Sequence, residues 1–111
     1  MASLTEFTDN CHIIGLLLDT ASSTGMTDKK MAFIKKKINE FEIMNYSKEL
    51  RDVCIENFHG MQAAYLREHS SLETRKKANT LVNEMMASDP DAPVNPLGQL
   101  MLQILPKTLG V

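Results

Sequence analysis

Residues 70–86 constrain this chain most, because they combine a helix start signal with a helical repeat of apolar residues. Ser70 and Glu73 have the spacing of a capping box, in which each side chain satisfies an amide group of the first helical turn. Apolar residues then recur at steps of three and four: Leu72, Ala78, Leu81, Val82 and Met85. Basic residues occupy the other side: Arg75, Lys76 and Lys77. The pattern predicts an amphipathic helix with one buried stripe.

The first part of the chain predicts a helix that is buried on most sides. In residues 4–21 the apolar side chains are too dense for a one-sided stripe: Phe7, Cys11, Ile13, Ile14, Leu16, Leu17 and Leu18. His12 lies in this run without a second metal ligand one turn away, so we interpret it as a structural residue. The composition of residues 21–25 predicts a linker.

A second helix is predicted to begin at Thr27 or Asp28, either of which can cap it, and to end near Phe41. Its expected core face consists of Met31, Ile34, Ile38 and Phe41. Its expected outer face carries five lysines: Lys29, Lys30, Lys35, Lys36 and Lys37. These lysines either form an ordinary solvated surface or a basic rim that attracts an acidic peptide.

The remaining helices are predicted from their caps. Ser47 is expected to cap a third helix that reaches Asn57 or Phe58, buries Leu50, Val53, Cys54 and Phe58, and ends at His59-Gly60. Residues 88–96 form a proline-rich loop, and Pro96 is expected to start a last helix that ends near Pro106. This helix has few charges, so it must dock on the bundle, on a second copy of the chain or on another partner.

The chain is therefore predicted to be all-α. No run of residues alternates in the way that a strand requires, and 111 residues suit one domain. We expect a compact bundle of four to five helices in residues 1–87, followed in residues 88–111 by the linker and the short amphipathic helix. The two cysteines, Cys11 and Cys54, are expected to be reduced core thiols, which favours an intracellular setting together with the absence of a signal-peptide pattern.

The sequence does not predict catalysis. It contains no nucleophile with a neighbouring base, no glycine-rich phosphate loop and no Cys/His set at metal-ligand spacing. The three histidines lie on three different predicted elements. We therefore expect a protein that is not an enzyme and that needs neither a metal nor another cofactor.

One stretch carries a resemblance to a known family. A loop glycine, a Leu-Arg-x-His turn, a serine-rich break and Ala-x-x-Leu-Val late in a helix are found here at Gly60, Leu66, Arg67, His69, Ser70, Ser71, Ala78, Leu81 and Val82. Over residues 27–86 this pattern resembles the N-terminal domain of the transcription elongation factor TFIIS. The family includes Elongin A, the IWS/Spn elongation factor and the integrase-binding domain of lens epithelium-derived growth factor.

The resemblance implies a non-catalytic docking module for short, disordered, acidic-hydrophobic motifs of transcription elongation or chromatin factors in the nucleus. It also implies that the ligand is bound by loops at one end of the bundle and by a basic edge. The corresponding residues are Met26, Thr27, Lys29, Lys30, Arg67, His69, Ser70 and Arg75.

Two other hypotheses remain open at this point. One is a homo-oligomeric helical scaffold whose contact is made by residues 97–105, through Leu97, Leu100, Met101, Ile104 and Leu105. The other is nucleic-acid binding through the lysine clusters, which lack interleaved aromatic residues that could stack on bases. A membrane-spanning segment is not expected, because the apolar run of residues 13–18 is far shorter than the ~20 residues that a span needs.

Overall fold

The computed structural model describes residues 3–56 and 62–111, with the backbone alone described for residues 53–56. In these ranges it contains six α-helices and a short 3-10 turn, and no strand, which confirms the all-α prediction. The helices are α1 (Leu4–Thr24), α2 (Asp28–Glu40), α3 (Lys48–Glu56), α4 (Gln62–His69), α5 (Leu72–Ala87) and α6 (Pro96–Leu109), and the 3-10 turn (Ile43–Asn45) lies between α2 and α3. The predicted burial of Val53, Cys54 and Phe58, and the helix end at His59-Gly60, fall outside this description.

Helix α1 is the central element of the bundle. It packs against α2, α3, α4, α5 and α6, and its fully buried side chains include Phe7, Ile13 and Leu17, so the predicted burial on most sides is confirmed. The predicted linker is wrong for residues 21–24, because α1 continues to Thr24. The Thr24 side chain is buried there, and its hydroxyl donates to the Thr20 carbonyl at 2.7 Å.

The directions of the helices follow from side chains that meet across them. Gln62 at the start of α4 lies against Gly15, and Tyr65 stacks on His12, so α4 runs antiparallel to α1. Lys77 of α5 reaches Asn10, while Met86 approaches Thr24 near the other end of α1, so α5 runs parallel to α1. The corner between α4 and α5 therefore lies at the N-terminal end of α1.

Helix α5 begins one residue later than predicted. The hydroxyl oxygen of Ser71 accepts from the Thr74 amide at 3.2 Å, so Ser71 is the cap and the predicted pairing of Ser70 with Glu73 is wrong. The Ser70 hydroxyl instead donates to the Leu66 carbonyl at the end of α4. The predicted stripe of Ala78, Leu81, Val82 and Met85 is buried, whereas Leu72 is exposed.

The predicted caps Thr27 and Ser47 are confirmed, and the last helix begins at Pro96 as predicted, with Asn95 as its cap. Thr27 accepts from the Lys30 amide at 3.2 Å, Ser47 accepts from the Leu50 amide at 3.2 Å, and Asn95 accepts from the Gly98 amide at 2.6 Å. On α2, Ile34 is fully buried, and Met31, Ile38 and Phe41 are half-buried.

Helix α6 lies along α1, α4 and α5 and runs antiparallel to α1. The Asn95 amide donates to the Ser23 carbonyl at 3.1 Å at one end, while Gly110 lies beside Arg67 and Arg75 at the other. Helix α6 continues beyond its predicted end at Pro106 to Leu109. A proline removes one backbone donor, and the full burial of Leu109 compensates for this loss.

The contact between α6 and α1 depends on Gly98, and we expect Gly98→Ala to lower the free energy of unfolding by about 1–2 kcal/mol. A Cβ atom at this position would lie 3.0 Å from Thr24 Cα and 3.1 Å from the Ser23 carbonyl oxygen, and neither backbone atom can move aside cheaply. Guanidinium denaturation measures the loss.

The matched control is Gly15→Ala in α1, where the added Cβ would meet the side chain of Gln62 at 3.1 Å. That side chain can move, and alanine is about 1 kcal/mol better than glycine inside a helix. Gly15→Ala is therefore expected to be less harmful than Gly98→Ala, and equal losses would contradict the tight α1–α6 contact.

Candidate functional site

The residues that the sequence suggested as one binding surface lie in two groups at opposite ends of the molecule. Met26, Thr27 and Lys29 lie at the C-terminal end of α1, where α2 begins. Arg67, His69, Ser70 and Arg75 lie at the corner between α4 and α5, near the N-terminal end of α1. Helix α1, which is about 30 Å long, separates the two groups. The structure therefore does not bring them together on one surface.

Lys30 does not belong to a basic edge. Its side chain is 0% exposed, which contradicts its predicted place on the outer face of α2. The ammonium group donates to the Gly25 carbonyl at 2.7 Å and to the Thr24 hydroxyl at 3.3 Å. A positive charge next to the last carbonyl groups of α1 is favourable, because these groups form the negative end of the helix dipole. Lys30 therefore stabilises the junction between α1 and α2.

At the corner between α4 and α5, two residues that were predicted to bind a partner make contacts within the protein instead. The Arg75 guanidinium donates to the carbonyl groups of Leu109 and Gly110 at 3.1 and 3.0 Å, so it holds the C-terminal end of α6. The Ser70 hydroxyl donates to the Leu66 carbonyl at the end of α4. Among the remaining predicted residues, Met26, Lys29, Arg67 and His69 are exposed to solvent, and Thr27 is half-buried as the cap of α2.

An aromatic stack connects this end of the molecule to the interior. The His12 and Tyr65 rings are stacked with their centroids 3.7 Å apart, and Tyr65 contacts the exposed His69 ring at 4.6 Å. His12 is buried. Burial and, to a smaller extent, the nearby His69 lower the pKa of His12 from its ordinary value of 6.5 to about 4. His12 is therefore neutral at physiological pH.

The best candidate for a binding site is an apolar groove that the sequence did not reveal. It has a volume of about 460 Å³ and lies between α1, α2, α3, the 3-10 turn and the start of α4. The apolar residues in its lining are Cys11, Ile14, Leu18, Ile38, Ile43 and Met44. Leu18 and Met44 are exposed, so the groove presents apolar side chains to solvent. We name this feature the α1–α3 groove.

Four charged residues lie in the lining of the α1–α3 groove: Asp19, Lys48, Arg51 and Asp52. Arg51 Nη1 contacts Met44 Sδ at 3.1 Å, and thioether sulfur is a weak acceptor. Arg51 Nε is buried without a hydrogen-bond partner among the residues that the structure describes. The neighbouring Lys48 and Asp52 form an ion pair at 2.6 Å, which largely neutralises both charges. Nε is out of reach of a ligand, but Nη1, which donates to a weak acceptor at the surface, could donate instead to an incoming carboxylate.

The backbone between α2 and α3 explains why the groove was missed. Glu42 has a φ of 57°, in the left-handed region that few residues other than glycine adopt. This conformation reverses the chain after α2 and places Ile43 and Met44 against α1. Helical periodicity ends at Phe41, so no repeat pattern marks these two residues. The available signal was an Ile-Met pair within an otherwise polar turn.

Comparison with known protein families, with curated proteins and with solved structures finds no match to this chain. Among the side chains that the structure describes, those of residues 3–52 and 62–111, no group of three or more His, Cys, Asp or Glu is arranged to hold a metal ion. None of the helices described there combines the length and the apolar composition needed to cross a bilayer.

Proposed function

We propose that this chain is a non-catalytic protein-interaction module that binds a short, disordered, acidic-hydrophobic segment of another protein. The observation that supports this function is the α1–α3 groove, in which an apolar floor lies beside the guanidinium group of Arg51. In many complexes a few anchor side chains that enter such a pocket supply most of the binding energy.

The chemistry of the segment follows from the lining of the groove. Its volume of about 460 Å³ accommodates a few aliphatic or aromatic side chains. A carboxylate next to these anchors would accept charge-assisted hydrogen bonds from Arg51. The acidic Asp19 of the lining restricts where a second carboxylate can lie, so the carboxylate of the segment is expected on the Arg51 side of the groove. An apolar segment with acidic neighbours fits this arrangement.

The biological setting of the proposal comes from the sequence resemblance alone. The TFIIS N-terminal domain family binds motifs of this chemistry in transcription elongation and chromatin factors. We therefore propose nuclear partners of that kind. The α1–α3 groove, rather than the separated loops at Met26 and His69, is the binding surface in this proposal.

We expect a peptide with Leu or Phe anchors flanked by Asp and Glu to bind with micromolar affinity, because ordering a disordered segment offsets part of the binding energy. Met44→Glu, which introduces a like charge, and Arg51→Gln, which removes the cation, should each weaken binding about tenfold or more. Met44 is 59% exposed, so the fold should tolerate the change. Titration with recording of amide chemical shifts measures affinity and location together.

Met26→Glu is the matched control, because it makes the same change at an exposed methionine outside the groove. Met26→Glu should bind the peptide with the same affinity as the unaltered protein. A peptide in which Asn and Gln replace the acidic residues should bind more weakly, and this difference should disappear in Arg51→Gln. Chemical-shift changes centred on Met26 or His69, with none around Met44, would refute the groove as the site.

A further inference from the structure

Gln62, the first residue of α4, borders two cavities of the molecule. One is the α1–α3 groove, and the other lies between α1, α4 and α6, with a volume of about 330 Å³. Asp19 and Gln62 belong to the linings of both. The two cavities are therefore neighbours, so a ligand that fills the first can continue into the second. We name the second one the α4–α6 cavity.

The α4–α6 cavity suits an apolar side chain. Ala63 and Ala64 at the start of α4 leave room in it because their side chains are small. The larger apolar residues of the lining are Leu16, Met101, Ile104 and Leu105, and the polar ones are Asp19, Thr20, Gln62 and Thr108. Ile104 is 50% exposed, so the cavity opens to solvent beside α6. The lining includes an acidic residue and none of the basic residues that the structure describes, so it does not favour a carboxylate.

The side chain of Gln62 is buried between α1 and α4 without a hydrogen-bond partner. It is 4% exposed, and its amide group makes no hydrogen bond to a residue that the structure describes. The amide nitrogen Nε2 lies against Gly15, 3.2 Å from the position that a Cβ atom would take there. Gly15 belongs to the lining of the α1–α3 groove. The unpaired amide therefore lies where the two cavities meet, and a ligand there can supply the missing partner.

The chemistry of a carboxamide indicates what this partner is. The Gln62 amide has two N–H donors and one carbonyl acceptor. A peptide bond offers the complementary pair of one acceptor and one donor. In an extended segment the peptide groups are free to pair, while the side chains point away to either side. Gln62 can thus bind the main chain of a segment without selecting the side chain at that position.

We propose that the segment bound in the α1–α3 groove continues across Gln62 and places a second apolar anchor in the α4–α6 cavity. This inference rests on the proposed function and specifies the pattern of its ligand. The first anchor has an acidic neighbour on the Arg51 side, whereas the second has none, because Asp19 lies in both linings. An extended segment advances ~3.3 Å per residue, so anchors separated by one to three residues can reach neighbouring cavities.

Titration of the full chain with synthetic peptides tests the second anchor. The two-anchor peptides contain Asp-Asp-Phe, a spacer of one to three serines, and Leu, and peptides of reversed sequence cover the opposite chain direction. In the one-anchor peptides, Ser replaces Leu. With the best spacer, the two-anchor peptide should bind about tenfold more tightly, because it buries one more leucine side chain. Its amide chemical-shift changes should extend from Met44 to Ala64 and Ile104.

Ile104→Glu should abolish this gain, because it places a charge at the mouth of the α4–α6 cavity, and it should leave the affinity for the one-anchor peptide unchanged. Leu100→Glu is the matched control: it makes the same change on α6 at a residue that is 53% exposed and outside the lining. It should leave the affinities for both peptides unchanged. Circular dichroism verifies that the helices of both variants remain intact.

Gln62→Met tests the main-chain contact, because methionine has a similar length and lacks the amide. It should weaken binding of the two-anchor peptide about threefold to tenfold. Ester bonds in place of the peptide bonds of the spacer remove main-chain donors. They should weaken binding to the unaltered protein more than binding to Gln62→Met, and equal losses would exclude Gln62 as the partner of the main chain.

The peptides distinguish failure of this inference from failure of the proposed function. Equal affinities of the one-anchor and two-anchor peptides with every spacer, with shift changes around Met44, would overturn the second anchor and leave the proposed function intact. Absence of binding by all peptides would contradict both. Shift changes around Ile104 that depend on protein concentration without any peptide would assign the α4–α6 cavity to a second copy of the chain, which would also overturn the inference.

Discussion

Lys30→Ala is expected to lower the free energy of unfolding by about 3 kcal/mol, although Lys30 lies in a lysine-rich helix whose outer face is solvated. The ammonium group donates a part-buried hydrogen bond to the Gly25 carbonyl and a buried one to the Thr24 hydroxyl. Hydrogen bonds from a charged donor contribute about 1.5–3 kcal/mol, and loss of the buried stem adds a cavity term. Guanidinium denaturation at neutral pH measures the change.

Lys29→Ala is the matched control for this prediction. It removes the same side chain and the same charge from the neighbouring position, where the lysine is exposed. The expected change is within about 0.5 kcal/mol, as is usual for surface substitutions. Lys30→Met keeps most of the stem, so the difference between the Met and Ala variants separates packing from hydrogen bonding. Equal stability of Lys29→Ala and Lys30→Ala would contradict the burial of Lys30.

The helices could be predicted from the sequence because capping and the spacing of apolar residues are both features of a few neighbouring residues. The caps at Thr27, Ser47 and Asn95 follow from one side-chain acceptor and a nearby amide. The burial of α1 follows from the density of its apolar residues. The start of α5 was predicted one residue too early, because Ser70 still closes the last turn of α4: its amide and its hydroxyl both donate to the Leu66 carbonyl, and Ser71 becomes the cap.

The candidate site could not be predicted in the same way. Lys30 is buried because the Gly25 carbonyl and the Thr24 hydroxyl, at the C-terminal end of a different helix, accept its hydrogen bonds. The α1–α3 groove exists because the left-handed Glu42 returns Ile43 and Met44 to α1. Both features depend on how helices meet, which periodicity along one segment does not encode. Met26 and His69 were grouped by the resemblance to the TFIIS N-terminal domain family, and they lie at opposite ends of α1.

The stability of the protein is expected to fall by about 2–3 kcal/mol through His12 alone as the pH is lowered from 6.5 to about 4. The pKa of His12 is lowered in the folded protein, so the unfolded chain binds a proton that the folded protein does not accept in this range. Proton uptake by the unfolded state favours unfolding. The contribution of His12 is fully present above pH 6.5, and it is lost as the pH falls towards the folded-state pKa of about 4.

Two other groups with shifted pKa values also make the stability depend on pH. Burial raises the pKa of Asp9 above its ordinary value of 3.8, with Lys77 opposing the shift, so its contribution to stability is lost as the pH rises. A hydrogen bond from Lys37 lowers the pKa of Glu40, so that contribution is lost as the pH falls. His12→Phe isolates His12, because phenylalanine keeps a ring against Tyr65 while Asp9 and Glu40 remain unchanged.

The measurement is the difference in unfolding free energy between His12→Phe and the unaltered protein at several pH values. This difference should be constant above pH 6.5 and should shift in favour of His12→Phe as the pH approaches about 4. His69→Gln provides a second check: it removes the smaller of the two causes that lower the pKa of His12, so the protein should lose less stability in this range. Parallel pH profiles for His12→Phe and the unaltered protein would show that His12 is as easily protonated in the folded protein as in the unfolded chain. Such a result would contradict its burial against Tyr65.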